Sequence, residues 1–271
     1  MEALKLNLKS GTYANPDQCR ILFGALLVAL QLQGRYEEIG AALRAQWSPV
    51  REEGNERFDR LYMAALAATR SRVLPLGRRV RFQKLTEYLS SSRGAAGEVV
   101  ECGCFMGLST HLICQVLMEE RPDFDGSGFH VFDSFEGLPE PTPEDAIPDD
   151  HPDAVRLRSM SVKGRFAAPL DLVRSSLSRF PRVSYHVGWI PETFDGLPDA
   201  SYRFVHLDVD LYQPTYDALD YFCGRLAPGG MIVCDDYSWP GARLAVDAYA
   251  KQHGLSLDLP ATGQAAIRLP L

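Results

Sequence analysis

Apolar residues recur at helical spacing through the first third of the chain. Leucine, isoleucine and alanine return every three or four residues in four stretches that end near glycine, proline or serine. This period places apolar side chains on one helical face and predicts helices over 18–33, 36–47, 57–71 and 79–90. We expect residues 1–92 to form a helical extension that walls the substrate site or contacts a second subunit.

From Gly97 onward, short β-branched runs alternate with helical periods. The predicted strands are 98–101, 128–132, 183–187, 204–207, 231–234 and 265–269. The predicted helices are 108–118, 170–180, 215–226 and 242–253. Strands separated by helices indicate a doubly wound α/β sheet, here in a domain of residues 93–271. Prolines and acids without any period over 138–153 predict a mobile loop that closes as a lid.

Composition and charge narrow the range of partners. Hydrophobic residues make up 46% and charged residues 23%, as in ordinary globular proteins. The net charge of −7 argues against nucleic-acid binding, which requires a basic face. The most apolar early run is too short to insert in a membrane. The six cysteines form no CxxC pair of the kind that binds zinc. Most of them lie in apolar runs as small hydrophobic residues, so we expect a protein of the reducing cytoplasm.

Two predicted strands end in pairs of acids. Asp208 and Asp210 follow one strand, and Asp235 and Asp236 follow the next. Parallel strands end at the same sheet edge, so four carboxylates meet there and require a cation. All-oxygen ligation selects Mg²⁺, or else Mn²⁺, over zinc. We predict that Asp208, Asp235 and Asp236 bind the ion and that Asp210 is the general base for a hydroxyl acceptor, although spacing leaves open whether Asp208 or Asp210 faces the ion.

A glycine-containing turn, residues 101–107, joins the first predicted strand to its helix. Glycine lets the backbone approach a ligand, and the helix N-terminus, where Ser109 is a candidate cap, favours negative charge. Glu101 suits a cationic amino group, and Asp133, after the second strand, suits ribose hydroxyls; a tight turn and a helix cap are the structural alternatives. The missing glycine of GxGxxG favours S-adenosylmethionine over NAD. The candidate cofactor-binding residues are Glu101, Gly103, Ser109, Asp133, Gly188, Trp189 and Asp208.

Several motifs occur in one order between Val99 and Gly254. They are Phe132-Asp133-Ser134-Phe135-Glu136-Gly137-Leu138-Pro139, Leu207-Asp208-Val209-Asp210-Leu211-Tyr212, Pro228-Gly229-Gly230, Asp235-Asp236-Tyr237 and Gly241-Ala242-Arg243-Leu244-Ala245-Val246-Asp247. In this order they resemble the macrocin O-methyltransferase family, which methylates sugar hydroxyls of macrolide and aminocoumarin antibiotics.

That resemblance implies a class I methyltransferase (Rossmann-like) fold, S-adenosylmethionine, Mg²⁺, a glycosylated small-molecule acceptor and a homodimer. Carried over by motif, it assigns the metal to Asp208, Asp235 and Asp236, and proton removal to Asp210. It assigns the cofactor to Glu101, Gly103, Asp133 and Ser134. The sequence departs from the family at Gln213-Pro214-Thr215 and in the cysteines of the glycine turn, which leaves the acceptor open.

Three other functions stay open from the sequence. A nucleotide-sugar glycosyltransferase would bind metal through Asp208-Val209-Asp210, but it leaves the glycine turn and Asp235-Asp236 without a role. A catechol O-methyltransferase would apply the same chemistry to a phenol. A methyltransferase-like binding protein would have no need of four acids.

Overall fold

The computed structural model describes residues 55–71 and 76–270. The helices predicted over 18–33 and 36–47 lie outside the described residues. The other two N-terminal helices are present as α1 (Asn55–Thr69) and α2 (Leu76–Ser91). Each predicted helix is displaced by only a few residues, because its period of apolar positions identifies the buried face better than it identifies the ends.

Strands and helices then alternate to the end of the chain. The strands are β1 (Glu98–Cys102), β2 (Phe129–Asp133), β3 (Ser184–Val187), β4 (Tyr202–Leu207), β5 (Leu226–Cys234) and β6 (Ala265–Arg268). The helices are α3 (Leu108–Glu120), α4 (Ala154–Met160), α5 (Leu170–Ser176), α6 (Tyr212–Cys223) and α7 (Pro240–His253). All six predicted strands are present. Helix α4 was not predicted, because seven residues are too few to establish a helical period.

The six strands form one sheet in the order β3-β2-β1-β4-β5-β6. Strands β1 to β5 are parallel, and β6 pairs antiparallel with β5. The strand order reverses between β1 and β4, whose last residues Cys102 and Leu207 lie opposite each other. Open α/β sheets bind ligands in the crevice at such a switch point. The predicted doubly wound α/β fold is confirmed.

Helices cover both faces of the sheet. Apolar side chains of α1, α2, α3 and α5 pack with Val99, Phe129 and Phe204 on one face. Those of α6 and α7 pack with Val100 and Val205 on the other face. Alternate strand residues therefore supply two cores, as expected for strands buried on both sides. Among the described residues, no helix has the length and apolarity to cross a bilayer.

The start of α3 differs from the sequence prediction. The helix is capped by Gly107, whose φ of 84° lies in the left-handed region, and no side chain caps it. Ser109 is buried within the first turn, so the prediction that it caps the helix is wrong. Glycine adopts this conformation without the steric penalty that a Cβ would impose, which allows the chain to turn sharply from β1 into α3.

Candidate active site

A cavity of about 1230 Å³ lies at the carboxyl ends of β1, β2 and β4. Sequence-predicted residues from five separate segments line it. They include the cofactor candidates Gly103, Ser109, Asp133, Ser134, Gly188, Trp189 and Asp208, together with Asp210 and Asp235. The structure therefore brings most of the predicted site residues to one cavity, although they are widely spaced in the sequence.

Gly103 shows why the turn after β1 needs glycine. Its φ is 82°, and a Cβ there would overlap the backbone carbonyl of Asp208. The turn after β1 and the turn after β4 therefore touch at the switch point, and a larger residue would push them apart. This contact sets the glycine turn directly beside the first of the four acids.

Three acids form a tight cluster at this edge. Carboxylate oxygens of Asp208, Asp210 and Asp236 lie within 4.8 Å of one another. Asp210 has a φ of 61°, which few residues other than glycine adopt, and its backbone N–H donates to Asp236 Oδ2 at 3.1 Å. The left-handed turn bends the chain sharply after β4, so both acids of the Asp208-Val209-Asp210 motif join the same cluster.

The cluster carries more negative charge than its surroundings stabilise. Burial raises the pKa of Asp208, Asp210 and Asp236 above the usual carboxyl range. Neighbouring carboxylates raise these pKa values further, as Asp236 does for Asp210. A divalent cation would remove that repulsion, and oxygen-only ligands suit Mg²⁺. The cluster therefore suits a divalent ion, but it joins two of the predicted metal ligands, Asp208 and Asp236, to the predicted base Asp210 and does not include Asp235.

Asp235 has a different environment from the other three acids. Its Oδ2 and its backbone carbonyl accept hydrogen bonds from Nη2 of Arg81, which also lies 3.3 Å from Asp236 Oδ1. Gln264 Nε2 donates to the other oxygen, Oδ1, at 2.7 Å. Burial alone would raise the pKa of Asp235, but Arg81 and the other donors hold it well below its usual range. Asp235 is therefore ionised and already partnered.

Sequence reasoning did not identify Arg81. It lies on α2, in the basic run Arg78-Arg79-Val80-Arg81, and its side chain is 13% exposed. The signal that could have found it is an arginine within a helix predicted to pack on the sheet. The sequence around Arg81 does not indicate which acid it pairs with, because Asp235 lies 154 residues later in the chain.

Glu101 does not line the cavity. It is fully buried, and its Oε1 lies 3.0 Å from Nδ1 of His206 while Thr110 donates to its Oε2. Burial would lower the pKa of His206, but Asp235 and Glu101 raise it to about 10. His206 lies buried between these two acids, with Nε2 3.8 Å from Asp235 Oδ1. The prediction that Glu101 contacts the cofactor finds no support in this position, because the side chain is fully buried away from the cavity lining.

Asp133 holds the glycine turn as well as lining the cavity. Its Oδ2 accepts the backbone N–H groups of Cys104 at 2.7 Å and Phe105 at 3.3 Å, and Oδ1 accepts that of Phe135 at 2.7 Å. Ser134 Oγ accepts from Glu136 and donates to Gly137. The turn role and the ribose role are compatible at Oδ1, which accepts one backbone N–H and keeps a second lone pair.

The segment 138–153 is anchored, not free of structure. It contains a 3₁₀ helix, Pro143–Asp145, and Asp145 is buried. Asp145 Oδ1 accepts the backbone N–H of Tyr212 at 2.7 Å, and a Cβ at Gly241 would overlap the same carboxylate. These contacts of Asp145 hold the middle of the segment in place, which argues against the prediction that the whole segment is a mobile loop.

Aromatic residues add an apolar wall that the sequence did not reveal. The rings of Phe105 and Phe166 meet edge to face at 5.6 Å, and both residues line the cavity with Met160. These residues come from separate segments, so no sequence pattern joins them.

Comparison with known proteins points to one family. The family model described as macrocin O-methyltransferase (TylF) matches residues 68–267. A relative from Streptomyces olivaceus, named 8-demethyl-8-(2,3-dimethoxy-alpha-L-rhamnosyl)-tetracenomycin-C 4'-O-methyltransferase, is 34% identical over 167 residues, which cover 60% of this chain and 61% of the relative. The mycinamicin III 3''-O-methyltransferase of Micromonospora griseorubida is 30% identical over 169 residues, which cover 60% of this chain and 64% of the relative. The chain thus spans less than two thirds of the length of these relatives.

A solved structure supports the fold. The O-methyltransferase NovP superposes with a TM-score of 0.57 and 23% sequence identity, over 70% of this chain and 80% of that protein. The class I methyltransferase architecture expected from the motifs is confirmed.

Proposed function

This chain belongs to the macrocin O-methyltransferase family, and we propose that it transfers a methyl group from S-adenosylmethionine to a sugar hydroxyl of a glycosylated small molecule. The observation that carries the proposal is the acid cluster of Asp208, Asp210 and Asp236, of which Asp208 and Asp210 line the cavity beside the glycine turn. The curated relatives are named as O-methyltransferases of a rhamnosyl tetracenomycin and of mycinamicin III.

We assign Asp208, Asp235 and Asp236 to a Mg²⁺ ion, with Mn²⁺ as a substitute. Such an ion, when bound, makes an aliphatic hydroxyl more acidic, whose pKa is otherwise near that of water, about 15.7. Among the residues that the structure describes, two sets of side chains lie close enough to bind one ion, and Asp208 belongs to both. One set contains Asp210 and Asp236, and the other contains His206 and Asp235.

Asp210 is the proposed general base. Burial and the charge of Asp236 raise its pKa, and a carboxylate with a raised pKa binds a proton more readily. Asp210 lines the cavity, so it can take the hydroxyl proton as the acceptor oxygen attacks the methyl carbon. The proton ends on the Asp210 carboxylate, and the methyl group moves from sulfur to oxygen.

The cofactor site follows the sheet edge from the glycine turn to Trp189. Gly103 and Ser109 lie at the β1–α3 turn, Asp133 and Ser134 follow β2, and Gly188 and Trp189 follow β3. We propose that Asp133 binds the ribose and that the other residues form the walls of the nucleoside pocket. Holding methyl carbon and acceptor oxygen in line accounts for about 7–11 kcal/mol in well-oriented reactions.

The acceptor enters beside the apolar wall of Phe105, Phe166 and Met160. We propose that this wall contacts an apolar aglycone while its sugar reaches the acid cluster. We further propose that the enzyme works in the cytoplasm as a homodimer, with no nucleic acid or membrane as a partner.

Calorimetry with S-adenosylhomocysteine, followed by a screen of glycosylated acceptors with Mg²⁺ or EDTA, tests the function. We expect binding of S-adenosylhomocysteine and a methylated sugar that forms only with the metal. Absence of S-adenosylhomocysteine binding would exclude the cofactor assignment. Binding of a uridine diphosphate sugar in its place would favour a glycosyltransferase, and methylation of a simple catechol would favour a phenolic acceptor.

A further inference from the structure

We infer that Arg81 is the built-in counter-cation of this site when no divalent ion is bound, and that the ion replaces it at Asp235. The inference rests on the metal site proposed above. It concerns a residue outside the predicted metal ligands, on a helix that belongs to the N-terminal extension.

A single nitrogen of Arg81 makes the contacts. Nη2 donates to the Asp235 carboxylate and to the Asp235 backbone carbonyl, and it lies 3.3 Å from Asp236 Oδ1. The side chains of Arg81 and Asp235 are each 13% exposed, and that of Asp236 is 5% exposed. One positive charge therefore lies between two adjacent, largely buried acids.

Arg81 Nη2 occupies the space between Asp235 Oδ2 and Asp236 Oδ1. Gln264 donates to the other oxygen of Asp235, Oδ1, whereas Oδ2 contacts Arg81. Arg81 Nη2 contacts that same oxygen and also approaches Asp236. A cation that bridges Asp235 Oδ2 and Asp236 Oδ1 would stand where the arginine nitrogen stands.

The arginine is also incompletely bonded, which suits an exchangeable partner. Within the described part of the chain, its Nε is buried and has no hydrogen-bond partner. A permanent arginine–carboxylate pair normally uses two parallel N–H groups, and a buried N–H without a partner is unfavourable. Arg81 therefore acts here as a point charge, which a metal ion can replace.

If the ion replaces Arg81, removal of Arg81 should change the metal affinity in the opposite direction from removal of a metal ligand. Because the ion must displace Arg81, part of its binding free energy offsets the broken arginine contacts. Neutralising Arg81 removes that competition and takes its positive charge away from Asp235 and Asp236. Metal affinity should therefore rise, whereas loss of Asp235 or Asp236 should lower it.

The test compares Mn²⁺ binding to the full chain and to Arg81→Gln, by electron paramagnetic resonance of free Mn²⁺ and by calorimetry. Lys84→Gln is the matched control, since Lys84 lies on the same helix, pairs with Glu87 at 3.4 Å, and carries the same charge. We expect Arg81→Gln to bind Mn²⁺ about tenfold more tightly or better, and Lys84→Gln to match the wild type. Mn²⁺ should also raise the melting temperature of Arg81→Gln more than that of the wild type.

Equal or weaker Mn²⁺ binding in Arg81→Gln would overturn the inference while leaving the metal site intact. No Mn²⁺ binding to either protein would overturn the proposed metal site itself. A crystal structure of the wild type with Mn²⁺ provides an independent measurement should the variant fail to fold. Arg81 should have left Asp235 in that structure, and an arginine still bonded to Asp235 beside a bound ion would refute exchange.

Discussion

The carboxylate of Asp145 accepts a hydrogen bond from the backbone N–H of Tyr212 at 2.7 Å. Tyr212 is the first residue of α6, two positions after Asp210. Asp145 also accepts the backbone N–H of Thr142 at 2.9 Å, and Gly241 leaves room for this approach. The segment 138–153 is thereby tied to the turn that presents the proposed base.

Asp145→Ala should release that segment and slow methyl transfer. The variant loses the hydrogen bonds from the Tyr212 and Thr142 backbone N–H groups, and since one such bond is worth about 1.5–3 kcal/mol, the free energy of unfolding should fall by at least that amount. Limited proteolysis should cut within 138–153 faster than in the wild type. Asp149→Ala is the control, because Asp149 lies in the same segment with its side chain 97% exposed. Cutting at equal rates in Asp145→Ala and the wild type would mean that Asp145 does not anchor the segment.

Asp210→Asn should separate proton removal from metal binding. The rate of methyl transfer should fall by about 10²–10⁴, the usual loss for a general base, and excess Mg²⁺ should not restore it. Asp236→Asn should instead weaken Mg²⁺ binding, and added metal should restore part of the rate. Calorimetry with Mg²⁺ and steady-state kinetics measure both effects. Loss of metal in Asp210→Asn with retention in Asp208→Asn would reverse the two assignments.

The same Asp210→Asn substitution should stabilise the metal-free protein at high pH. Burial and then Asp236 raise the folded-state pKa of Asp210, so the folded state binds more protons than the unfolded state. The stability from this group is present below the ordinary carboxyl pKa of about 3.9 and is lost as pH rises. In EDTA the variant should therefore exceed the wild type in free energy of unfolding, and by more at pH 8 than at pH 5. Urea titrations at both pH values measure the difference, and a gain independent of pH would contradict the repulsion described here.

Asp133→Ala should weaken binding of S-adenosylhomocysteine. It removes the proposed ribose acceptor and frees the backbone N–H groups of Cys104 and Phe105, so the loss should be at least about 1.5–3 kcal/mol. Asp125→Ala is a suitable control, because Asp125 accepts the Ser127 backbone N–H in a turn outside the cavity. Unchanged affinity in calorimetry would restrict Asp133 to the turn.

Glu101→Gln should reduce stability with no direct effect on the cofactor. It removes the carboxylate that pairs with buried His206, and breaking one side of a buried pair costs about 3–5 kcal/mol. Chemical denaturation measures that loss, and calorimetry on the folded variant measures the affinity for S-adenosylhomocysteine. Weaker cofactor binding without lower stability would instead support the direct contact between Glu101 and the cofactor that we expected from the sequence.

Much of the fold was accessible from the sequence. Apolar positions at periods of two or 3.6 residues identified all six strands and the longer helices, because burial of one or both faces imposes those periods locally. The acids after β4 and β5 were also visible, since parallel strands end at the same edge of a sheet. These features depend on neighbours along the chain.

Other features depended on contacts between distant segments. Arg81 meets Asp235 across 154 positions, His206 meets Glu101 across 105, and Asp145 meets Tyr212 across 67. Strand order and helix packing bring the two residues of each pair together. The pattern of hydrophobic positions, which identifies the buried faces, does not show which polar residues will pair. The sequence by itself determined that four acids gather at the sheet edge. The tertiary structure decided which face the cavity and which are held by Arg81, His206 and Gln264, because a charge is stabilised by whatever the fold places within a few ångströms of it.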